Sequence, residues 1–452
     1  MGTVVLLSGC STEIPYTAPW FAFSDRYEVA GRAVPVLLED TAWWEGFRDS
    51  TLDALVAKAL SGNLDLAIAK ERITEAQANL GAVAPAGNLT PSADVRREKD
   101  LGQGDETRAE ATLGLSWLID PYGARFHENR AARARIKVAD AETDAARLLL
   151  LLNLSNAYID LRYNQAVLGL RREQLGARQQ TLALTQQLFD QNSATRLDLV
   201  RSRAQIAQTQ AQIPALEAAI LSKKNRIAVL TGVAPGRLGI ELDRGARQPR
   251  PVMSPKVGIP ADLLRNRPDI RIQERLYYAS VAQIGVAQAN LYPKLSLGGS
   301  IGHVSLDGRS GGEYYFGPAL QLPPLFSGDR KAAVAARYSQ ARQTHASWKS
   351  TVLSAIEEVE SAQADYAANA LSLSASRRSA QLYREAASLT RDLVRGGGAT
   401  IPTLLSAQDD VADADIALAE TLRNMARSYV ALNVSLGAGN AYGRDFATPT
   451  TQ

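Results

Sequence analysis

What the chain lacks limits it first. Among 452 residues there is one cysteine, Cys10, so no internal disulfide can form. The three histidines, His127, His303 and His345, stand far apart, an arrangement that argues against a His-based metal site. No apolar run approaches the ~20 residues of a membrane-spanning helix, which excludes a bundle of such helices. A membrane β-barrel stays open, because its strands alternate and leave mean hydropathy unremarkable, here −0.15. Neither charge sign dominates: 50 Lys and Arg face 47 Asp and Glu, a formal net charge of +3. That balance argues against a nucleic-acid binder, and with 46% hydrophobic residues it argues against disorder. Nucleophile motifs, phosphate loops and metal clusters are missing, which disfavours an enzyme. The length alone would suggest two to four domains at about 100–200 residues each.

What is present begins at the N-terminus. Met1-Gly2-Thr3-Val4-Val5-Leu6-Leu7 is a short apolar run, and Leu7-Ser8-Gly9-Cys10 matches the bacterial lipobox, whose cysteine is lipidated after cleavage. The charged region that leads such a signal is missing, so the start is expected to be truncated or mis-assigned. The alternative is a plain thiol near a frayed terminus. Stable anchoring would need more than one acyl chain on Cys10.

The chain also repeats itself. Leu118–Arg125 has a partner in Pro323–Arg330, with Gly123 and Gly328 displaced by 205 residues. Ala194-Thr195 against Ala399-Thr400, and Gly232 against Gly437, keep the same offset. Two copies of one unit are expected, at about 51–232 and 260–437. The linker is 233–259, flanked by an N-terminal segment 11–50 and a tail 438–452.

Each copy carries one very long helical run rich in Ala, Leu, Arg and Gln, good helix formers. The first is expected from about Gly123 to Asp190, the second from about Ser327 to Arg395. At 1.5 Å per residue each would be ~100 Å long, a length that means coiled coil or helical tube. After breaks at Gln191–Ala194 and Gly396–Ala399, a further helix runs to Gly232, with a kink expected at Pro214, and another from about Pro402 to Gly437. Before each long helix lies a period-two stretch. In Thr107–Leu118 the residues Ala109, Ala111, Leu113, Leu115 and Trp117 alternate with Arg108, Glu110, Thr112, Gly114 and Ser116. Lys294–His303 and Glu313–Leu322 alternate likewise, and Leu89–Lys99 does so weakly. Two hairpins are expected, with turns at Asp100–Glu106 and Asp307–Gly312. Strands of ~9–11 residues are long enough to cross a bilayer at a tilt. Four strands could form a small soluble sheet on helices. In lipid they would leave unpaired edges, which three protomers and twelve strands would remove.

Several strings carry a resemblance. Trp43-Trp44-Glu45-Gly46-Phe47-Arg48-Asp49-Ser50-Thr51-Leu52, Leu264-Arg265-Asn266-Arg267-Pro268-Asp269-Ile270-Arg271, Gln283–Ala289 with Tyr292-Pro293, Pro324-Leu325-Phe326-Ser327-Gly328, and Gly397–Gln408 occur in this order. Together they resemble TolC-like outer-membrane efflux proteins of the lipoprotein branch, over about residues 10–437. The resemblance implies a mainly α fold with a membrane β-barrel: a trimeric α-helical tube plus a 12-stranded barrel, four strands per protomer. It further implies an exit duct without cofactor, metal or catalytic residue. Its partners would be two further copies, a periplasmic adaptor protein, an inner-membrane RND-type transporter and outer-membrane lipid.

The same resemblance places the turns Asp190–Asp198 and Arg395–Ser406 at the periplasmic tips. Asp198 stands where the family's first tip carries an aperture aspartate. The second such aspartate is Ser406 here, and Asp409, Asp410 and Asp413 are candidates to replace it. A ring of carboxylates in a narrow lumen would bind cations and repel anions. The alternative for each is a solvated helix face. Adaptor contact falls on the tip residues Ser193, Thr195, Gly396, Gly397, Gly398 and Thr400. The three glycines read as a flexible turn and not a phosphate loop, since no Gly-Lys-Ser/Thr follows. Trp43 and Trp44 are expected to pack the N-terminal segment on the helices, Pro268 to open a helix with Asp269 in its first turn, and Trp117, Tyr314, Tyr315 and Phe316 to join interfacial girdles or simply to pack between strands. The reading is an efflux channel for small amphiphilic or drug-like molecules. A channel for type I protein secretion and a non-channel periplasmic scaffold or adaptor are the alternatives.

Overall fold

A computed structural model describes residues 15–28, 42–83, 86–100, 104–243, 247–252, 255, 257–306, 309–322 and 328–440. Cys10 and the junction 323–327 lie outside the described residues. The elements in chain order are a short 3-10 turn Trp43–Phe47, α1 (Ser50–Gly62), α2 (Leu64–Gly81), β1 (Gly87–Asp100), β2 (Gly104–Ile119), α3 (Ala124–Asp190) and α4 (Arg196–Leu230). There follow α5 (Leu263–Asn266), α6 (Pro268–Ala289), β3 (Lys294–Leu306), β4 (Arg309–Gln321), α7 (Asp329–Arg395) and α8 (Ile401–Ser435). None of the described helices is long and apolar enough to cross a membrane.

The long helices stand as the sequence predicts. α3 and α7 are both 67 residues, α4 and α8 both 35, and each member of a pair is displaced from its partner by 205 positions. Pro214 lies inside α4. The ends are fixed by local chemistry. The Asp49 carboxylate caps α1, accepting from the backbone N–H of Thr51 and Leu52, and Asp120 accepts from the N–H of Ala124 and Arg125 at the start of α3. Pro268 opens α6 as its first residue, where its missing N–H costs nothing.

The strands form one antiparallel sheet in the order β1-β2-β3-β4. They extend further than the alternation predicts. Pairing runs out to Asp100 opposite Gly104 and to Leu306 opposite Arg309, so both turns are shorter than expected. Polar residues that read as turn formers are taken into the ladder, where their backbones pair as well as any others. Pro91 and Pro318 sit in β1 and β4, the two edge strands, the place where a missing donor is tolerated.

The described chain divides into two compact units. One holds residues 15–21, 70–140 and 270–351, including the whole sheet. The other holds 22–69, 141–269 and 352–440. In the second unit Trp43 is buried and its indole Nε1 donates to the Ala438 carbonyl at 3.2 Å. Its ring meets Trp44 and Tyr429 edge-on, and the Tyr429 hydroxyl donates to the Trp43 carbonyl. Burial pushes that phenol up to about 12, so it remains a donor at neutral pH. Trp43 thus ties the turn before α1 to Tyr429 of α8 and to Ala438.

Candidate functional site: the sheet face and the helical tips

The register of the sheet sorts its side chains by face. Leu89, Pro91, Ala93 and Val95 of β1 stand opposite Leu115, Leu113, Ala111 and Ala109 of β2. Leu113 and Trp117 stand opposite Ile301 and Leu297, which in turn face Tyr314 and Pro318. One face is therefore apolar across all four strands at the level of Leu113 to Ile119, and nearer the hairpin turns it also carries His303 and Ser305, opposite Ala111 and Ala109. It is also bare: Tyr314 is 84% exposed, Val95 74%, and Leu89, Ile301, Phe316 and Leu320 are exposed as well. The other face carries Ser92, Asp94 and Arg96 beside Thr112, Glu110 and Arg108. The Ser92 and Thr112 hydroxyls bond at 2.6 Å, and Arg96–Asp94 and Arg108–Glu110 form ion pairs. From Ala109 to Ile119 the apolar face is about 33 Å long along a strand at ~3.3 Å per residue, or ~25 Å tall at a tilt, the height of a barrel's lipid-facing band.

Glycines make this face possible by letting aromatics lie across the ladder. A Cβ on Gly299 would come 2.4 Å from the Phe316 ring of the paired residue, and one on Gly87 would come 3.0 Å from Trp117. Large rings thus cover neighbouring glycines, filling the surface without a clash.

In the helical unit the two tips share one turn. Ser193 N donates to the Leu188 carbonyl and Asn192 N to Phe189; Gly398 N donates to Leu393 and Gly397 N to Val394. This is the paired closure of a Schellman turn, which needs a left-handed residue. Asn192 (φ 59°) and Gly397 (φ 78°) supply it at equivalent positions. Leu184 and Leu188 of α3 pack with Val394, Ile401, Leu404 and Leu405, joining the two tips. Ser193, Thr195, Gly396, Gly397, Gly398 and Thr400 are all exposed there.

The candidate aspartates separate. Asp198 closes a capping box on α4: its carboxylate accepts from Thr195 N (2.9 Å) and Thr195 Oγ1 (2.6 Å), while its own N–H donates to Thr195 Oγ1. These bonds hold its pKa below the usual carboxylate range. Thr400, at the matching cap of α8, makes no side-chain cap bond, and its hydroxyl meets that of Thr403. Asp409 is half-buried and tied. Its carboxylate accepts from the Arg178 guanidinium of α3 and, at 3.3 Å, from Gln205 of α4. Asp410 and Asp413 are exposed on α8. The four aspartates thus stand in different local settings.

Sequence reasoning missed the centre of this cluster. Arg178 is buried, with 6% of its side chain exposed, and also donates to the Gln205 carbonyl and the Thr209 hydroxyl. Beside it Gln408 donates to Thr181 Oγ1 at 2.9 Å, and buried Asp415 pairs with Arg384 at 2.6 Å. A cleft of about 240 Å³ runs between these groups, lined by Gln174, Ala177, Arg384 and Gln408 among others. An arginine within an alanine-rich helix was the one available signal.

Arg267 and Asp269 are structural. Two guanidinium nitrogens of Arg267 meet the Asp269 carboxylate at 2.6 and 3.0 Å, and a third meets Glu358 and the Ser435 carbonyl. The pair locks the start of α6 to the end of α8.

The outer membrane efflux protein family matches residues 55–233 and 259–438. Nodulation protein T of Rhizobium leguminosarum bv. trifolii is 34% identical over 447 residues, covering 96% of each chain. The antibiotic efflux pump outer membrane protein ArpC of Pseudomonas putida is 27% identical, covering 97% of this chain and 94% of that protein. The solved structure of the outer-membrane channel OprN superposes with a TM-score of 0.85 at 29% identity, covering 95% of this chain and 99% of that one. A helical majority with a four-stranded sheet, one face apolar and bare, is what that fold asks of a protomer, and the chain belongs to the outer membrane efflux protein family as an outer-membrane efflux channel of TolC-like fold.

Proposed function

We propose that three copies of the chain close their sheets into a 12-stranded barrel and serve as the passive exit duct of a tripartite pump. The observation that carries this is the bare apolar face on a sheet whose edge strands β1 and β4 have no further strand partner among the described residues. In water that face is unfavourable, and in lipid the edges are. Three-fold closure with the apolar face outward removes both problems. The energy comes from an inner-membrane RND-type transporter linked through a periplasmic adaptor, so the duct itself needs no catalytic group. The exposed tip residues Ser193, Thr195, Gly396, Gly397, Gly398 and Thr400 are where the adaptor docks. Small amphiphilic or drug-like molecules are the cargo, in keeping with the antibiotic efflux named for the Pseudomonas relative.

Asp198, Asp410 and Asp413 supply the aperture charge in this reading, and Asp409 acts through the tie to Arg178 that holds α8 against α3 and α4. Cys10 is the lipid attachment point. Tyr16 is pinned edge-on to Tyr278 of α6, six positions downstream of Cys10. Six extended residues reach about 20 Å, and Tyr278 lies about 17 Å back along α6 from its end, so the tether is long enough to reach the membrane surface. The duct is tested in planar bilayers. The purified protein should open discrete pores, and the absence of pores together with fractionation into soluble periplasm would refute the proposal. Replacing Cys10 by Ala should abolish palmitate labelling, and retained label would refute the anchor.

A further inference from the structure

The first turns of the two long helices are charged in one sense. Residues 124–137 of α3 carry five cations against Glu128, and residues 329–349 of α7 carry five against Asp329. The whole chain is only +3, so the remainder is net negative and the excess belongs to this place. Part of it is used in packing. Arg130 donates to the Tyr278 hydroxyl at 3.0 Å with its guanidinium over that ring, and Arg330 donates to the Asn290 carbonyl. Arg133 and Arg135 on α3, and Lys331, Arg337 and Arg342 on α7, are exposed.

Their level relative to the sheet is fixed within the same unit. Tyr122, just after β2, stacks on Tyr292, just before β3, with centroids 4.4 Å apart and planes at 14°. Exposed Trp117 stands two residues before the end of β2. Aromatics at the end of an apolar strand face mark the boundary between hydrocarbon and water. Beyond it the headgroup zone is about 5–7 Å deep, and the surface potential reaches a further ~8–10 Å. Lys331 and Arg337 lie about 3 and 12 Å along α7, and Arg133 and Arg135 about 14 and 16 Å along α3. All four fall within that reach, whereas Lys349, about 30 Å along α7, falls outside it.

We propose that Arg133, Arg135, Lys331 and Arg337 form a collar that docks the anionic phospholipid headgroups of the leaflet on the helix side of the membrane. The proposal rests on the sheet being part of a membrane barrel. A cation at this level attracts anionic lipid through charge alone, so the preference is for headgroup charge and not for one particular lipid.

The test uses the full chain in mild detergent, titrated with phosphatidylglycerol, phosphatidylcholine or inorganic phosphate and read by native mass spectrometry and Tm. Phosphatidylglycerol should bind more tightly than phosphatidylcholine and raise Tm, while phosphate alone does neither. Combining Arg133→Gln, Arg135→Gln, Lys331→Gln and Arg337→Gln should weaken phosphatidylglycerol binding roughly fivefold or more. Lys349→Gln should leave it unchanged. Equal binding of the two lipids, full binding by the fourfold variant, loss in Lys349→Gln, or an equal Tm rise from inorganic phosphate would each overturn the collar. The wild type gives a check that needs no variant: the preference should fade at about 1 M salt, and an undiminished preference there is also contrary. Pore formation in phosphatidylcholine bilayers should match between wild type and fourfold variant. A wild type without pores refutes the duct itself and so marks a different failure.

Discussion

At Arg178 a full positive charge is buried against a half-exposed carboxylate and two neutral acceptors. Removing one partner of such a group leaves the other without compensation. Asp409→Ala should therefore destabilise the helical unit by about 1–3 kcal/mol, whereas Asp410→Ala and Asp413→Ala should stay within about 0.5 kcal/mol. Thermal unfolding of the three variants distinguishes them. The caps differ similarly. Thr195 bonds both the backbone and the carboxylate of Asp198, and Thr400 has no equivalent. Thr195→Ala should cost about 1 kcal/mol at the start of α4, and Thr400→Ala less at the start of α8, as read by hydrogen exchange at the two helix starts. Asp198 titrates below an ordinary aspartate, so its capping contribution is present above the unfolded value and fades as pH falls through its lowered folded value. Protection at the start of α4 should hold at pH 6 and fall under strongly acidic conditions. The Arg178 partnership was not legible in the sequence, because Arg178 and Asp409 are 231 positions apart. Four aspartates that look alike in one dimension differ only by what stands opposite them.

At the level of elements, two glycines at equivalent positions of the repeat have the same physical role. Gly232 and Gly437 end α4 and α8 with φ of 75° and 78°. A Cβ at Gly232 would lie 1.9 Å from the Gly62 carbonyl oxygen, and one at Gly437 would lie 2.2 Å from that of Asn266. Each position thus needs a left-handed residue and a bare Cα at once. Gly437→Ala should cost about 2–4 kcal/mol. Gly236→Ala, with φ 81° but open space around it, should cost only about 1–2 kcal/mol. Urea unfolding of the two variants makes the comparison. Helix positions were largely legible, because long runs of good formers ended by Gly or Pro leave few alternatives. The ends of α3 and α7 fall within two residues of the expected ones. Strand ends were less legible. Asp100 and Gly104 read as turn residues, yet the ladder needs only their backbone groups.

For the whole molecule, composition misleads in one respect and informs in another. A length of 452 residues suggests several globular cores, but much of it is used in two helices of 67 residues each. The modest mean hydropathy conceals an apolar face because every second strand residue is polar. In the proposed duct the sheet is closed by the sheets of two further copies. The register supplies the direct test. Spin labels introduced singly at Ala109, Ala111, Leu113 and Leu115, and at the intervening Glu110, Thr112 and Gly114, can be read in reconstituted vesicles for collision with oxygen and with a water-soluble nickel chelate. The duct predicts that the odd positions favour oxygen and the even ones the chelate, in strict alternation. Equal access of the chelate to both sets would mean that the sheet stands in water, and would contradict the account.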